Sequence, residues 1–409
     1  MNNKENALRK ENIIIVFFLL CISLLYPGSF TGFSAYIPQI ILGFVALYVI
    51  FKIPIIKPAK SLFIFASYMT IMSFILSIMN VSGGMLDIFR SSLRLYYPFI
   101  GLIIGGMFLR KVSPKSLLYI LIFFLTLQFV TSCLQINNEA FRIWSYNLYK
   151  AKNVSYYLES FVWSTGKRAI GTVGNPNLLG MLTVVLNSTI LIIASLVTRK
   201  RLQKIINIIC IAASIYICIY TQSRTAVMLL VFSTAIIIYW QFPRKGIEKL
   251  IYLIIPGIGA MLLFSFIQAE ISREISLSAL DSRFNIWQLR ISQMFDYAKY
   301  ENFYTGILGV GFHTARGFGF FDNTFVKIFV SGGIIGLIVF LRPIIDVIKA
   351  LLKKPKAELR YLGLMLTLLW VFGSMVSDYQ EVFKLSMTTF ILMGYALYSG
   401  ELDKRTKKD

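Results

Sequence analysis

Three arginines in this chain could bind an anion, and two other residues could move a proton beside it. Arg224, in the run Thr221-Gln222-Ser223-Arg224-Thr225, lies between two apolar stretches. The link is too short to reach far into water, so its guanidinium belongs at the outer headgroup level of a bilayer. Arg283 and Arg290 fall in a segment with helical period, where Phe284, Trp287, Ile291, Met294, Phe295 and Ala298 share one face. At about 100° per residue the two arginines sit together along the edge of that face, as on a helix lying on a bilayer with its cations at phosphate level. A guanidinium offers phosphate oxygens a planar fork where lysine offers a point charge, so three at one depth could hold a diphosphate. The alternative is that each snorkels to a lipid phosphate.

The proton-moving candidates are His313 and Asp322. His313, the only histidine, stands in a loop punctuated by Gly306, Gly309, Gly311, Gly317 and Gly319. Asp322-Asn323 stands at the mouth of the next apolar segment, a position that also suits a plain helix N-cap. Glu270, Glu274, Asp281 and Asp296 are more distant alternatives. No Asp-x-Asp motif occurs on this side of the chain, so metal-assisted transfer is not expected. No Gly-Lys-Ser/Thr follows the glycines, so they are not a nucleotide loop. Cys21, Cys133, Cys210 and Cys218 all fall in apolar runs without a CxxC or Cys/His pairing, which predicts neither disulfides nor a structural metal.

The elements that must position these groups are membrane helices. With 57% hydrophobic and 15% charged residues and a mean hydropathy of +0.70, the 409 residues cannot present the surface of a soluble globule. About twelve runs have the length and character of spans, at 12–27, 33–51, 61–79, 92–109, 116–136, 178–197, 205–220, 225–241, 250–267, 323–341, 361–377 and 382–399. They do not alternate as barrel strands would. The expected fold is therefore all-α integral membrane, one polytopic domain over 1–409, with outer loops at about 137–177 and 268–322. The first helix follows a basic start and is expected to stay uncleaved.

The net charge of +22 does not point to nucleic acid. With the N-terminus inside, most of the 41 Lys and Arg fall in the inner connections and both tails, which is the positive-inside pattern. Span interiors are nearly free of ionisable groups, whereas Arg224, Lys327, Asp378, Glu381 and Lys384 gather near outer helix ends. A proton- or sodium-coupled carrier needs the opposite distribution. The first outer loop holds Trp144, Tyr146, Tyr149, Tyr156 and Tyr157 beside Lys150, Lys152, Lys167 and Arg168. Such a cluster serves either as an interfacial aromatic belt or as a surface for sugars.

Several motifs in order resemble the O-antigen polymerase and ligase superfamily. They are Gly171-Thr-Val-Gly174-Asn175-Pro176-Asn177, Gln222-Ser223-Arg224, Asp281-Ser-Arg283 with Trp287, Gly309-x-Gly311, and Asp322-Asn323-x-Phe325 before a glycine-rich span. The resemblance runs from about Gly171 to Gly336, and the twelve-span layout agrees over the whole chain. It implies a GT-C-like membrane glycosyltransferase acting on undecaprenyl-diphosphate-linked glycans with no cofactor and no metal. Arg224 and Arg283 match arginines that contact the lipid diphosphate, and Arg290, Asn175, Asn177 and Asn323 join them as expected substrate-binding residues. Ligases typically carry His-Asn where this chain has Asp322-Asn323, which favours polymerisation of repeat units into O-antigen, capsular or exopolysaccharide over ligation. A glycan ligase and a flippase or other transporter are the alternatives. Expected partners are the bilayer, the lipid-linked glycans, a flippase and a chain-length regulator, without nucleic acid. The expected location is a bacterial cytoplasmic membrane, crossed many times with both termini inside.

Overall fold

The computed structural model describes residues 3–27, 36–79, 84–108, 112–149, 168–241, 278–297, 302–319 and 321–399. All regular structure among them is helical, with no strand. The ninth expected span, Tyr156, Tyr157, Lys150, Lys152, Lys167, Glu270, Glu274 and Ala298 lie outside the described residues. Among the described residues seven helices are long and apolar enough to cross a bilayer, and the chain is a multi-pass membrane protein. The described residues fall into two compact units, one from 1–45 and 108–274, the other from 46–107 and 275–409.

The first unit contains α1 (Asn3–Leu25), α6 (Pro114–Asn137), α7 (Glu139–Tyr149), α8 (Pro176–Val197), α9 (Lys200–Thr221) and α10 (Arg224–Gln241). α8 is its axis. It packs against α6, α9 and α10, and nearly every residue from Leu179 to Ala194 is buried. Such burial on all sides suits the mostly apolar sequence of α8, with Thr183, Asn187, Ser188 and Thr189 buried among its apolar side chains. Helix α7 is short and falls inside the first expected outer loop.

The second unit contains α3 (Lys57–Met79), α4 (Met85–Ser92), a 3₁₀ turn at Leu93–Tyr96, α5 (Tyr97–Phe108), α11 (Ser278–Tyr297), α12 (Asn302–Leu308), α13 (Phe312–Gly317), α14 (Thr324–Leu352), α15 (Ala357–Val376), a 3₁₀ turn at Tyr379–Glu381 and α16 (Phe383–Tyr398). Helix α2 (Ile37–Ile50) bridges the boundary between the two sets of residues. The expected span at 92–109 is thus broken, since its first residues tighten into the 3₁₀ turn and only Tyr97–Phe108 continues as α-helix. The expected second outer loop instead carries α11, α12 and α13.

α14 packs on α3 and α15, and it is discontinuous. Gly333 takes φ 62° and ψ −158°, which only glycine adopts readily, and a Cβ there would collide with the Ile307 carbonyl. Such a break orphans carbonyls of the preceding turn, and in a bilayer each must find a donor within the protein. Here the backbone N–H groups of Val310 and Gly311 supply them, donating to Val330 O and Ser331 O, both at 2.9 Å. The glycine-punctuated loop is therefore stitched to a broken membrane helix.

Candidate functional site

In the second unit the N-terminal end of α14 is built from its first residues. Asn323 is its N-cap, accepting from the N–H groups of Phe325 at 2.9 Å and Val326 at 3.1 Å. Asp322, just before it, has φ 49°, a left-handed conformation uncommon for a residue other than glycine and tolerated best by Asp and Asn. The turn is held from α11 by the Trp287 indole, which donates to Phe321 O at 2.9 Å. Beneath it Met294, Val310, Ala315, Phe321 and Val330 form a buried cluster, so the apolar face read from the sequence packs on protein rather than on lipid alone.

The Asp322 side chain remains solvent-accessible yet crowded by protein. Desolvation pushes its carboxyl above the ordinary carboxylate range, Arg283 opposes that shift, and Asp378 adds to it. Arg283 has no hydrogen bond or ion pair among the described residues, so its guanidinium donors are available beside a carboxylate. Arg290 differs: it donates to Gln293 Oε1 at 2.8 Å and covers Gly319, and burial lowers its proton affinity. Asp296 accepts from Ser292 on the same helix, at 3.2 Å.

His313 is held by α3 and α4. Its backbone N–H donates to Ser73 Oγ at 3.0 Å, and its Nδ1 lies 3.4 Å from Ser91 Oγ. The Ser91 hydroxyl already donates to Ile88 O at 2.8 Å, so a hydrogen bond across that longer contact is donated by Nδ1–H.

An ion cluster that sequence reasoning did not assemble stands beside these groups. Lys327, on the first turn of α14 and only 4% exposed, pairs with Asp378 Oδ2 at 3.1 Å and with Glu381 Oε1. Its ammonium also lies over the rings of Phe312 and Phe321, at 5.5 and 5.8 Å. Arg316 of α13 approaches Glu381 Oε2 at 3.5 Å. The partners are about fifty residues apart in the chain, so no local pattern announces them. The available signal was three ionisable residues flanking otherwise apolar helices.

In the first unit the residues 168–174 form an irregular, buried stretch that delivers the chain to α8. Gln135 of α6 accepts from the N–H groups of Ile170 at 3.0 Å and Gly171 at 2.9 Å, and donates to Gly171 O at 3.1 Å. Gln128 accepts from the Thr172 N–H at 3.1 Å and donates to its hydroxyl at 2.7 Å. These glutamines, seven residues apart on one face of an apolar span, were a legible signal that passed unread. Asn175 caps α8 and accepts from the N–H groups of Asn177 and Leu178. Asn177 accepts from Arg168 Nη2 at 3.0 Å, while Arg168 also donates to Thr221 O from Nε at 2.9 Å and Nη2 at 2.6 Å.

Arg168 is therefore a buried clasp on the last carbonyl of α9 rather than a surface cation among aromatic rings. Arg224 opens α10 just after Gln222, which ends α9 with φ 53°. It is half-buried and has no hydrogen bond or ion pair among the described residues. The candidate residues thus divide: Asn175, Asn177 and Arg224 belong to the first unit, and Arg283, Arg290, His313, Asp322 and Asn323 to the second.

No group of three metal-ligating side chains occurs among the described residues. No protein-family model and no curated protein matches this chain.

Proposed function

We propose that this multi-pass membrane protein polymerises lipid-diphosphate-linked oligosaccharide repeat units at the outer face of the cytoplasmic membrane. The observation that carries the proposal is Asp322, set in a left-handed turn at the mouth of a membrane helix within electrostatic reach of Arg283, whose side chain has no hydrogen bond or ion pair among the described residues. The reaction needs little more than that. An acceptor hydroxyl oxygen bonds to the anomeric carbon of the growing chain, the carbon's bond to the diphosphate oxygen breaks, and undecaprenyl diphosphate leaves with the electron pair. The hydroxyl proton passes to a base, for which Asp322 is better suited than an ordinary aspartate because its proton affinity is raised. Diphosphate is a good leaving group, so holding its charge and aligning the reactants are the remaining tasks. Arg283 supplies a bidentate fork for that charge. His313 is the second candidate base, and the motif resemblance supports a GT-C-like arrangement of about twelve spans.

The test is carrier-linked glycan length in cells lacking the chain and complemented with wild type, Arg283→Ala, Arg224→Ala or Asp322→Asn. Single repeat units in the deletion strain, a restored ladder with wild type and none with Arg283→Ala support polymerisation. Long chains held on the carrier would make the protein a ligase, and units trapped on the inner leaflet would make it a transporter.

A further inference from the structure

The ion cluster at the N-terminal end of α14 holds more positive charge than it neutralises. Glu381 is shared by Lys327 and Arg316, and Asp378 is taken by Lys327. The turn Leu93–Tyr96 packs on the turn Tyr379–Glu381 and brings a third cation, Arg94. Arg94 is half-buried, and its side chain makes no hydrogen bond or ion pair among the described residues. Its charge nonetheless bears on Arg316, which burial first and Arg94 second make less ready to hold a proton. Three cations thus face these two carboxylates, and adding Arg283 and Asp322, whose carboxyl also feels Asp378, leaves the same excess of one positive charge, a cost in a partly desolvated place that a bound anion offsets. In the same cluster Asp378 Oδ1 is enclosed without a hydrogen-bond donor among the described residues. A buried acceptor of that kind calls for a donor.

We infer that Arg94 and Arg316 form a site for one oxyanion carried by the glycan, the carboxylate of an acidic sugar, with a neighbouring sugar hydroxyl meeting the Asp378 carboxylate. That the ligand is a glycan rests on the polymerase reading; that the site takes a single anion does not. The uncompensated charge is one, and Asp378 and Glu381 would repel the multiple charges of a diphosphate. The site therefore selects which repeat units are joined, and it is separate from the Arg283 contact that holds the leaving group.

The test uses the purified full chain in lipid nanodiscs, titrated by calorimetry with a short oligogalacturonate, its carboxyl-reduced neutral counterpart and inorganic pyrophosphate. The acidic oligosaccharide should bind about tenfold or more tightly than the neutral one, the difference shrinking as salt is added. Arg94→Gln should abolish that preference, and Arg94→Lys, which keeps the charge but loses the fork, should retain part of it. Equal binding of acidic and neutral oligosaccharides by wild type overturns the inference, and so does an undiminished preference in Arg94→Gln. Binding of pyrophosphate alone, lost in Arg94→Gln, would assign the arginines to the lipid diphosphate and overturn the acidic-sugar assignment. The polymerase reading fails separately: if cells lacking the chain still make a full ladder while the purified protein discriminates the acidic oligosaccharide, polymerisation falls and the anion site stands.

Discussion

Asp322 combines a left-handed backbone with a carboxyl whose proton affinity desolvation by the surrounding protein raises and Arg283 restrains. A base works when deprotonated, so the proposed polymerisation, with Asp322 as its base, should fall as pH drops through a pKa displaced upward from the ordinary carboxylate range. The acid limb of the pH–rate profile should therefore lie above that of an unperturbed aspartate, and Asp322→Asn should remove the limb along with most of the rate. An acid limb unchanged in Asp322→Asn would transfer the role of base to His313. Arg283→Lys keeps the charge but loses the fork, and should lower the rate by about tenfold or more if bidentate contact to diphosphate matters. Lys327 makes a different kind of prediction. Replacing it with Met takes the buried cation away from two half-buried carboxylates, leaving Glu381 with Arg316 and Asp378 with no ion-pair partner among the described residues. Breaking a buried pair in this way costs about 3–5 kcal/mol, visible as a lowered melting temperature in detergent whatever the activity.

Among the helices, two glycine-dependent contacts decide the second unit. α5 approaches α16 through Gly101 and Gly105, one turn apart, where an added Cβ would strike the Met387 and Ile391 backbones. Membrane helices lack a hydrophobic force to press them together, and close backbone approach through small residues supplies the packing instead. Gly105→Leu should separate the two helices and lower thermal stability by about 1–3 kcal/mol or more. At Gly333 the break in α14 is coupled to the loop at 309–311 by two backbone hydrogen bonds. Gly333→Ala should strain the backbone and press on Ile307, releasing the α12–α13 segment that carries His313. Faster amide exchange at Val310 and Gly311, with α15 unaffected, is the expected result; unchanged exchange would show that the loop holds without the break. The first unit has its own fastening, since Gln135→Leu deprives two buried N–H groups and one carbonyl of their partner. A loss of about 1–3 kcal/mol per orphaned group is the scale to expect.

At the scale of the whole molecule, seven long apolar helices place the protein in a bilayer, and the proposed orientation puts Asp322 outside and Lys353 inside. In spheroplasts of a cysteine-free background, a membrane-impermeant thiol reagent should label Asp322→Cys directly and Lys353→Cys only after permeabilisation. The reverse pattern would place the candidate chemistry in the cytoplasm and end the lipid-linked glycan reading. Membrane character, helical class and the approximate position of most spans were determined by the sequence alone, because twenty apolar residues in a row carry that information locally. So was the cap position at Asp322-Asn323, which a short polar residue before an apolar run announces, whereas Asn175 was expected to bind substrate and the tertiary structure shows its side chain capping α8. The sequence also set out an amphipathic helix with Arg283 and Arg290 on one edge, but it could not say that Arg290 covers Gly319 while Arg283 acts on the Asp322 carboxyl. Only the tertiary structure decided that Arg168 is a buried clasp, that α14 is broken and stitched to a loop, and that Arg94, Arg316, Lys327, Asp378 and Glu381 meet. Those pairings join residues tens to hundreds of positions apart, and buried charge finds its partner through packing, for which no local periodicity exists.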